Sequence, residues 1–332
     1  MRSDLARYLF VMLAGVMPAA AAPASADETL VFVSAFAAGE EGAIHAFQLD
    51  SKTGSLTPMH RTTDVENPFF LAVSPDQKFL YSIHARKFGA KEHEEVAAYA
   101  IVGRTGQLKL LNRQSSLGSA SCYLEVDATG KTLLVANYST GSVASLPVRD
   151  DGSLGEAASF IQHAGSSVDP VRQTGPHAHS IVVSPENRFA YAADLGLDEV
   201  LIYRLDAAKA TLSPNQTPLA KTPPGAGPRH LTFHPNGKYL YAINELGNSV
   251  TLFDYDPRSG ALRERQTVST LPQEFEGKSY CADLKITPNG RFLYGTNRGH
   301  DSIAAYRIGD DGRLTLAGIE PSLGKGPQNL AI

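Results

Sequence analysis

One segment recurs five times along this chain, and it constrains the fold more than any other feature. It runs as an apolar stretch, a turn holding Pro or Gly, a basic residue and a second apolar stretch. The copies are LAVSPDQKFLYSI from Leu71, LEVDATGKTLLVA from Leu124, IVVSPENRFAYAA from Ile181, LTFHPNGKYLYAI from Leu231 and LKITPNGRFLYGT from Leu284. Measured at the turn positions Pro75, Ala128, Pro185, Pro235 and Pro288, the spacings are 53, 57, 50 and 53 residues. A fixed period of this length marks an array of like units, each burying its apolar face against the next. Two short β-rich runs around a tight turn form an antiparallel hairpin. A third run follows, such as SVTLF from Ser249 or SIAAY from Ser302, and a fourth begins after SGAL from Ser259 or DGRL from Asp311. Four antiparallel strands in about 50 residues make one propeller blade. The expected fold is therefore an all-β propeller.

The blade count is less direct. Thr29 to Ser34 opens a first unit that lacks its own leading strand, and five complete units follow. A further hairpin begins at Leu330-Ala331-Ile332, where the sequence stops. That strand could complete the first unit and close a six-bladed ring; alternatively, a seventh blade has been lost.

The N-terminus is of a different kind. Arg2 and Arg7 precede an apolar run from Tyr8 to Ala22, and Ala24-Ser25-Ala26 follows. Basic, apolar, then small is the order of a secretory signal peptide. The run is shorter than the roughly 20 apolar residues a membrane-spanning helix needs. The expected division is a signal peptide over 1–26 and a propeller over 27–332, located in the periplasm or secreted, with no membrane partner after cleavage. The net charge of -4 is spread among interspersed acids and bases. No basic stripe suggests a nucleic-acid partner.

Two cysteines, Cys122 and Cys281, fall at nearly equivalent places in repeats three units apart, so a ring holds them apart as free, half-buried thiols. No C-x-x-C or H-E-x-x-H occurs, and no cluster of acidic and Asn ligands suits calcium. No cofactor and no metal are expected.

Aligning the copies exposes two slots where the repeat departs from its own pattern. Six residues before the turn stand Phe69, Cys122, His179, Arg229 and Ala282; ten residues beyond it stand Ala85, Tyr138, Leu195, Glu245 and Arg298. In a hairpin these slots face each other at the open end, on one rim near the axis. Three successive units supply His179, then Arg229 with Glu245, then Arg298, with Asp283 beside the first slot. The set is chemically coherent. Glu245 or a neutral His179 could activate water, while two arginines could stabilise a developing oxyanion or hold a carboxylate or phosphate. His177, His230 and Asp283 are read as substrate-binding residues that line the site. The alternative is a set of ion pairs between blades.

Four stretches carry a resemblance to a known family: Gly175-Pro176-His177-Ala178-His179-Ser180, Gly227-Pro228-Arg229-His230, Tyr241-Ala242-Ile243-Asn244-Glu245-Leu246 and Thr296-Asn297-Arg298-Gly299-His300-Asp301-Ser302. Val135-Ala136-Asn137-Tyr138 and Gln162-His163 fit as well. They resemble the propeller-type lactonases, which include bacterial 6-phosphogluconolactonases and fungal carboxymuconate-lactonizing enzymes. The resemblance implies a seven-bladed propeller without an obligatory metal. It places the muconate enzymes' His, two Arg and Glu on His179, Arg229, Arg298 and Glu245. Where the family continues past a Pro-Arg-Asn motif into another blade, this sequence has Pro327-Gln328-Asn329 and stops. The expected function is hydrolysis of a small-molecule lactone by a monomer or homodimer. A muconate-type cycloisomerase, or an exported propeller that only binds, is the alternative.

Overall fold

The computed structural model describes residues 9–13, 29–89 and 93–332. Six four-stranded sheets are found among them. Blade 1 holds β1 (Leu9–Leu13), β2 (Thr29–Ala35), β3 (Ala43–Leu49) and β4 (Leu56–Thr62). Blade 2 holds β5 (Leu71–Val73), β6 (Phe79–His84), β7 (Glu95–Val102) and β8 (Gln107–Ser115). Blade 3 holds β9 (Ser121–Val126), β10 (Thr132–Asn137), β11 (Ser142–Pro147) and β12 (Ser159–Gln162). Blade 4 holds β13 (Ala178–Val183), β14 (Phe189–Asp194), β15 (Glu199–Asp206) and β16 (Thr211–Lys221). Blade 5 holds β17 (Pro228–Phe233), β18 (Tyr239–Asn244), β19 (Ser249–Tyr255) and β20 (Leu262–Ser269). Blade 6 holds β21 (Tyr280–Ile286), β22 (Phe292–Arg298), β23 (Ser302–Ile308) and β24 (Leu314–Pro321). The first strands β5, β9, β13, β17 and β21 touch in succession and line the axis.

The recurring hairpin has a local cause. Its third turn residue is left-handed in every copy: Gln77 (φ 60), Gly130 (φ 72), Asn187 (φ 60), Gly237 (φ 68) and Gly290 (φ 70). Gly and Asn enter that region at least cost, which accounts for their place after the Pro.

Neighbouring blades are joined by a second repeated device. Tyr81, Tyr191 and Tyr241, each in the second strand of its blade, donate their hydroxyls to the carbonyls of Gly152, Gly260 and Gly312 in the next blade's outer turn. All three rings are fully buried. Those glycines are left-handed, and a Cβ at any of them would collide with Phe79, Phe189 or Tyr239. Five apolar clusters fill the junctions between blades 1 and 2, 2 and 3, 3 and 4, 4 and 5, and 5 and 6. Among the described residues, no such cluster joins blade 6 to blade 1. Tyr294, at the tyrosine position of blade 6, is only half-buried.

Six blades are found, as the six-bladed alternative allowed, but the strand that completes blade 1 is not the expected one. Leu330–Ile332 forms no strand; the Leu330 amide instead donates to the Asp283 carboxylate at 3.1 Å. The innermost place in blade 1, expected to be empty or filled from the C-terminus, is taken by β1, paired antiparallel to β2 from Leu9 against Ala35 to Leu13 against Val31. An open strand edge offers backbone hydrogen bonds to an apolar run wherever that run comes from in the sequence. The expected cleavage site at Ala24–Ala26 lies outside the described residues.

Candidate active site

The two slots are brought to one rim by a repeated irregularity. In blades 3, 4 and 5 the pairing of first and second strands slips by one residue at that rim, and the extra residue is Cys122, His179 and Arg229 in turn. In blade 6 the slip falls between Cys281 and Leu284, taking in Asp283. A β-bulge breaks the alternation of the strand and re-aims the side chain it carries. The opposite slot is set by a buried polar residue just before it. Asn137 and Asn244, at the ends of their strands, and Asn297, one residue before the end of its own, are hydrogen-bonded to Ser142, to Ser249 and Thr251, and to Ser302. Their successors Tyr138, Glu245 and Arg298 are thereby directed over the axis.

Glu245 is the hub. Arg229 Nε donates to its Oε2 at 3.0 Å and Arg298 Nη2 to the same oxygen at 2.8 Å. A third arginine, Arg172, donates from Nη2 to Oε1 at 2.7 Å. His179 Nε2 stands 3.9 Å from Oε2, beyond hydrogen-bond reach, while its Nδ1 lies 3.6 Å from Cys122 Sγ. Burial works to raise the Glu245 carboxyl, but Arg298, Arg229 and Arg172 outweigh it and hold it below the usual range. His179 is pushed well below the ordinary imidazole value by burial and by Arg229 and His230. It is neutral at physiological pH.

Under this layer lies a support. His230 Nε2 accepts from Arg229 Nη1 at 3.1 Å, so its Nδ1 carries the proton and donates to Asp283 at 2.8 Å. Burial and Arg229 bring His230 down to about 4. Burial would raise Asp283, yet Lys285 at 2.7 Å and His230 overcome it and lower its carboxyl. Phe70, Tyr123 and His230, from blades 2, 3 and 5, meet at ring distances of 4.4 to 6.1 Å and floor the site. On the same rim, Phe36, Phe69 and Phe88 pack ring against ring at 4.8 to 5.4 Å.

The four residues proposed as catalytic from the sequence thus converge. His177 reaches the same rim: its ring stacks on Tyr138 at 4.5 Å, and its Nδ1 donates to the Tyr138 carbonyl at 3.0 Å. Its amide is held by Asp194, whose other oxygen takes the His163 Nδ1 proton at 2.6 Å, with Tyr203 behind at 2.8 Å. His230 and Asp283 are buried in the channel below, where they hold Arg229. Arg172 was not legible in the repeat, because it lies on the link between β12 and β13, the longest of the links between described blades and outside the repeated segment. Cys122 and Tyr138 appeared in the slots, but their contacts did not. Both cysteines are free and buried, and burial pushes the Cys281 thiol up to about 12.

The model of the seven-bladed β-propeller lactonases matches residues 30–332. The chain is a member of that lactonase family. This lactonase is 36% identical over 277 residues to the Bacillus subtilis 6-phosphogluconolactonase, a match covering 83% of this chain and 77% of that one. It superposes on a Bacteroides fragilis structure with a TM-score of 0.85 at 33% identity, covering 93% and 86% of the two chains. The Pseudomonas aeruginosa periplasmic gluconolactonase aligns with a TM-score of 0.82 at 32% identity, covering 90% and 84%. The described residues of this lactonase form six blades where the family has seven.

Proposed function

We propose that the rim site of this lactonase opens a sugar lactone, with His179 as the base and the arginines as the electrostatic frame. The observation that carries this reading is the pairing of a neutral, buried imidazole with a carboxylate already saturated by three guanidiniums. Glu245, so paired, is a poor proton acceptor and a strong anchor. His179 Nε2 removes a proton from water as the oxygen adds to the lactone carbonyl carbon. Arg298, the more exposed of the two arginines on Oε2, faces the carbonyl oxygen and stabilises the charge that develops there. The intermediate then breaks its ring C–O bond, and the imidazolium returns the proton to the leaving oxygen, giving the hydroxy acid. Arg229 is 98% buried along its side chain and acts by fixing Glu245.

The relatives named 6-phosphogluconolactonase and periplasmic gluconolactonase support a sugar lactone as substrate. The basic, apolar and small-residue order of the leader, together with the second of those names, supports export with cleavage after Ala26. The test is direct. The purified chain is assayed on glucono-1,5-lactone, its 6-phosphate and muconolactone, with and without chelator. Chelator-insensitive turnover of a sugar lactone is expected. Turnover of muconolactone alone would overturn the substrate assignment.

A further inference from the structure

The arginines around Glu245 are not equivalent. Arg229 gives Nε to Glu245 and Nη1 to the Ala282 carbonyl and His230, and its side chain is only 2% exposed. Arg298 gives Nη2 to Glu245 and the Cys281 carbonyl, Nε to the Tyr280 carbonyl and one Nη1 hydrogen to Gln328, which leaves a single N–H for the lactone carbonyl. Arg172 uses only Nη2, shared between Glu245 Oε1 and the Tyr138 hydroxyl. Among the described residues its Nη1 and Nε meet no acceptor. Its side chain is also the most exposed of the three, at 33%.

The segment that carries Arg172 is built to present it. Asp169 accepts from the amides of Val171 and Arg172, at 2.8 and 2.9 Å. Gln173, fully buried, donates to the Leu195 carbonyl and to Asp198. Asp198 in turn accepts from Ser167 and from the amides of Gly225 and Gly227, tying the segment to the loop that leads into Arg229. The guanidinium reaches over the Tyr280 ring of blade 6 at 5.8 Å. It therefore spans the mouth from the link before blade 4 to blade 6.

We propose that Arg172 is a specificity residue that reads an anionic group on the lactone and, on doing so, exchanges Glu245 Oε1 for that group. The proposal rests on the lactonase reading of the site. With Arg172, Arg229 and Arg298 charged, Glu245 ionised and His179 neutral, the mouth carries an excess of two positive charges, while His230, Asp283 and Lys285 beneath balance among themselves. A phosphate or carboxylate on the substrate offers the two free donors a bidentate partner that Glu245, taken at one oxygen, does not provide. No bond is made or broken in the exchange. One cation leaves Glu245, so its remaining neighbours are Arg229, Arg298 and the neutral His179, with the buried thiols of Cys122 and Cys281 behind.

Two consequences can be measured. An anionic substrate draws Arg172 off Glu245, which raises the carboxyl. The acid limb of kcat should therefore lie at higher pH with glucono-1,5-lactone 6-phosphate than with glucono-1,5-lactone. In Arg172→Gln the two limbs should coincide, and the preference in kcat/KM for the phosphorylated lactone should fall about 10- to 100-fold. Arg172→Lys, which keeps the charge without the fork, should fall between. Inorganic phosphate serves as a probe that needs no turnover. Calorimetry should show it binding the wild-type chain and should show that binding lost in Arg172→Gln. An unchanged preference, or phosphate binding retained in Arg172→Gln, would overturn the proposal and assign the anion to Arg298. If the wild-type chain hydrolysed neither lactone, the lactonase reading would fall, and phosphate binding would still decide the role of Arg172.

Discussion

Glu245 and His179 show how neighbours divide labour between two groups that could each serve as a base. Three arginines depress the carboxyl, and burial depresses the imidazole. A depressed base stays unprotonated further into acid. With neutral glucono-1,5-lactone, kcat/KM should hold level as pH falls through 6.5 and decline only well below it; an acid limb centred at or above 6.5 would contradict a neutral His179. The same shifts couple to stability. His230 stands at about 4 in the folded chain, so between pH 6.5 and 4 the unfolded chain binds a proton that the native one refuses. Stability should fall with acid across that window, by about 3 kcal/mol at its lower end. Chemical denaturation from pH 7 to 4 measures it, and His230→Asn should lessen the slope, leaving the part that His179 contributes.

At the scale of elements, what was legible in the sequence was what each hairpin decides for itself. The turn glycines and asparagines, the alternation of the strands and the tyrosine in the second strands of blades 2, 4, 5 and 6 recur because those blades meet the same local demands. The charged slots stood out against that repetition. The bulges did not: a one-residue slip in pairing leaves no mark in composition, although it is what turns His179 and Arg229 toward the axis. Arg172 also escaped, because its placement is decided by Gln173 and Asp198 through contacts distant in sequence. Asp198 tests that element. Its oxygens take four donors from two loops, and Asp198→Asn keeps the shape while leaving donors buried without acceptors. At about 1–3 kcal/mol for each orphaned group, thermal unfolding should show a loss of about 2–4 kcal/mol. Turnover of a phosphorylated lactone should drop with it as Arg172 loses its seat. Unchanged stability would mean that the loops hold without this carboxylate.

For the whole molecule, the described blades are held in succession by five junctions, each with its own apolar cluster. Strand β1 completes blade 1 with residues that the leader reading removes. Exported material should begin at Asp27, leaving blade 1 with three strands and β2 as its inner edge; N-terminal sequencing that finds Met1 intact would contradict export. The charged rim depends on blades 3 to 6, whose junctions are all made, so the site should survive loss of β1. Its chemistry is tested most directly by comparing turnover of a sugar lactone in Glu245→Gln, Arg298→Ala and Leu195→Ala. Leu195 occupies the same slot one blade before Glu245 and two before Arg298 and is fully buried, so its truncation should lower stability by about 2–5 kcal/mol and leave chemistry largely intact. The two charged-site variants should keep the wild-type circular dichroism and lose turnover roughly 100- to 1000-fold. Near-normal turnover in both would mean that the cluster is an ion-pair network holding blades together, with no part in opening a lactone.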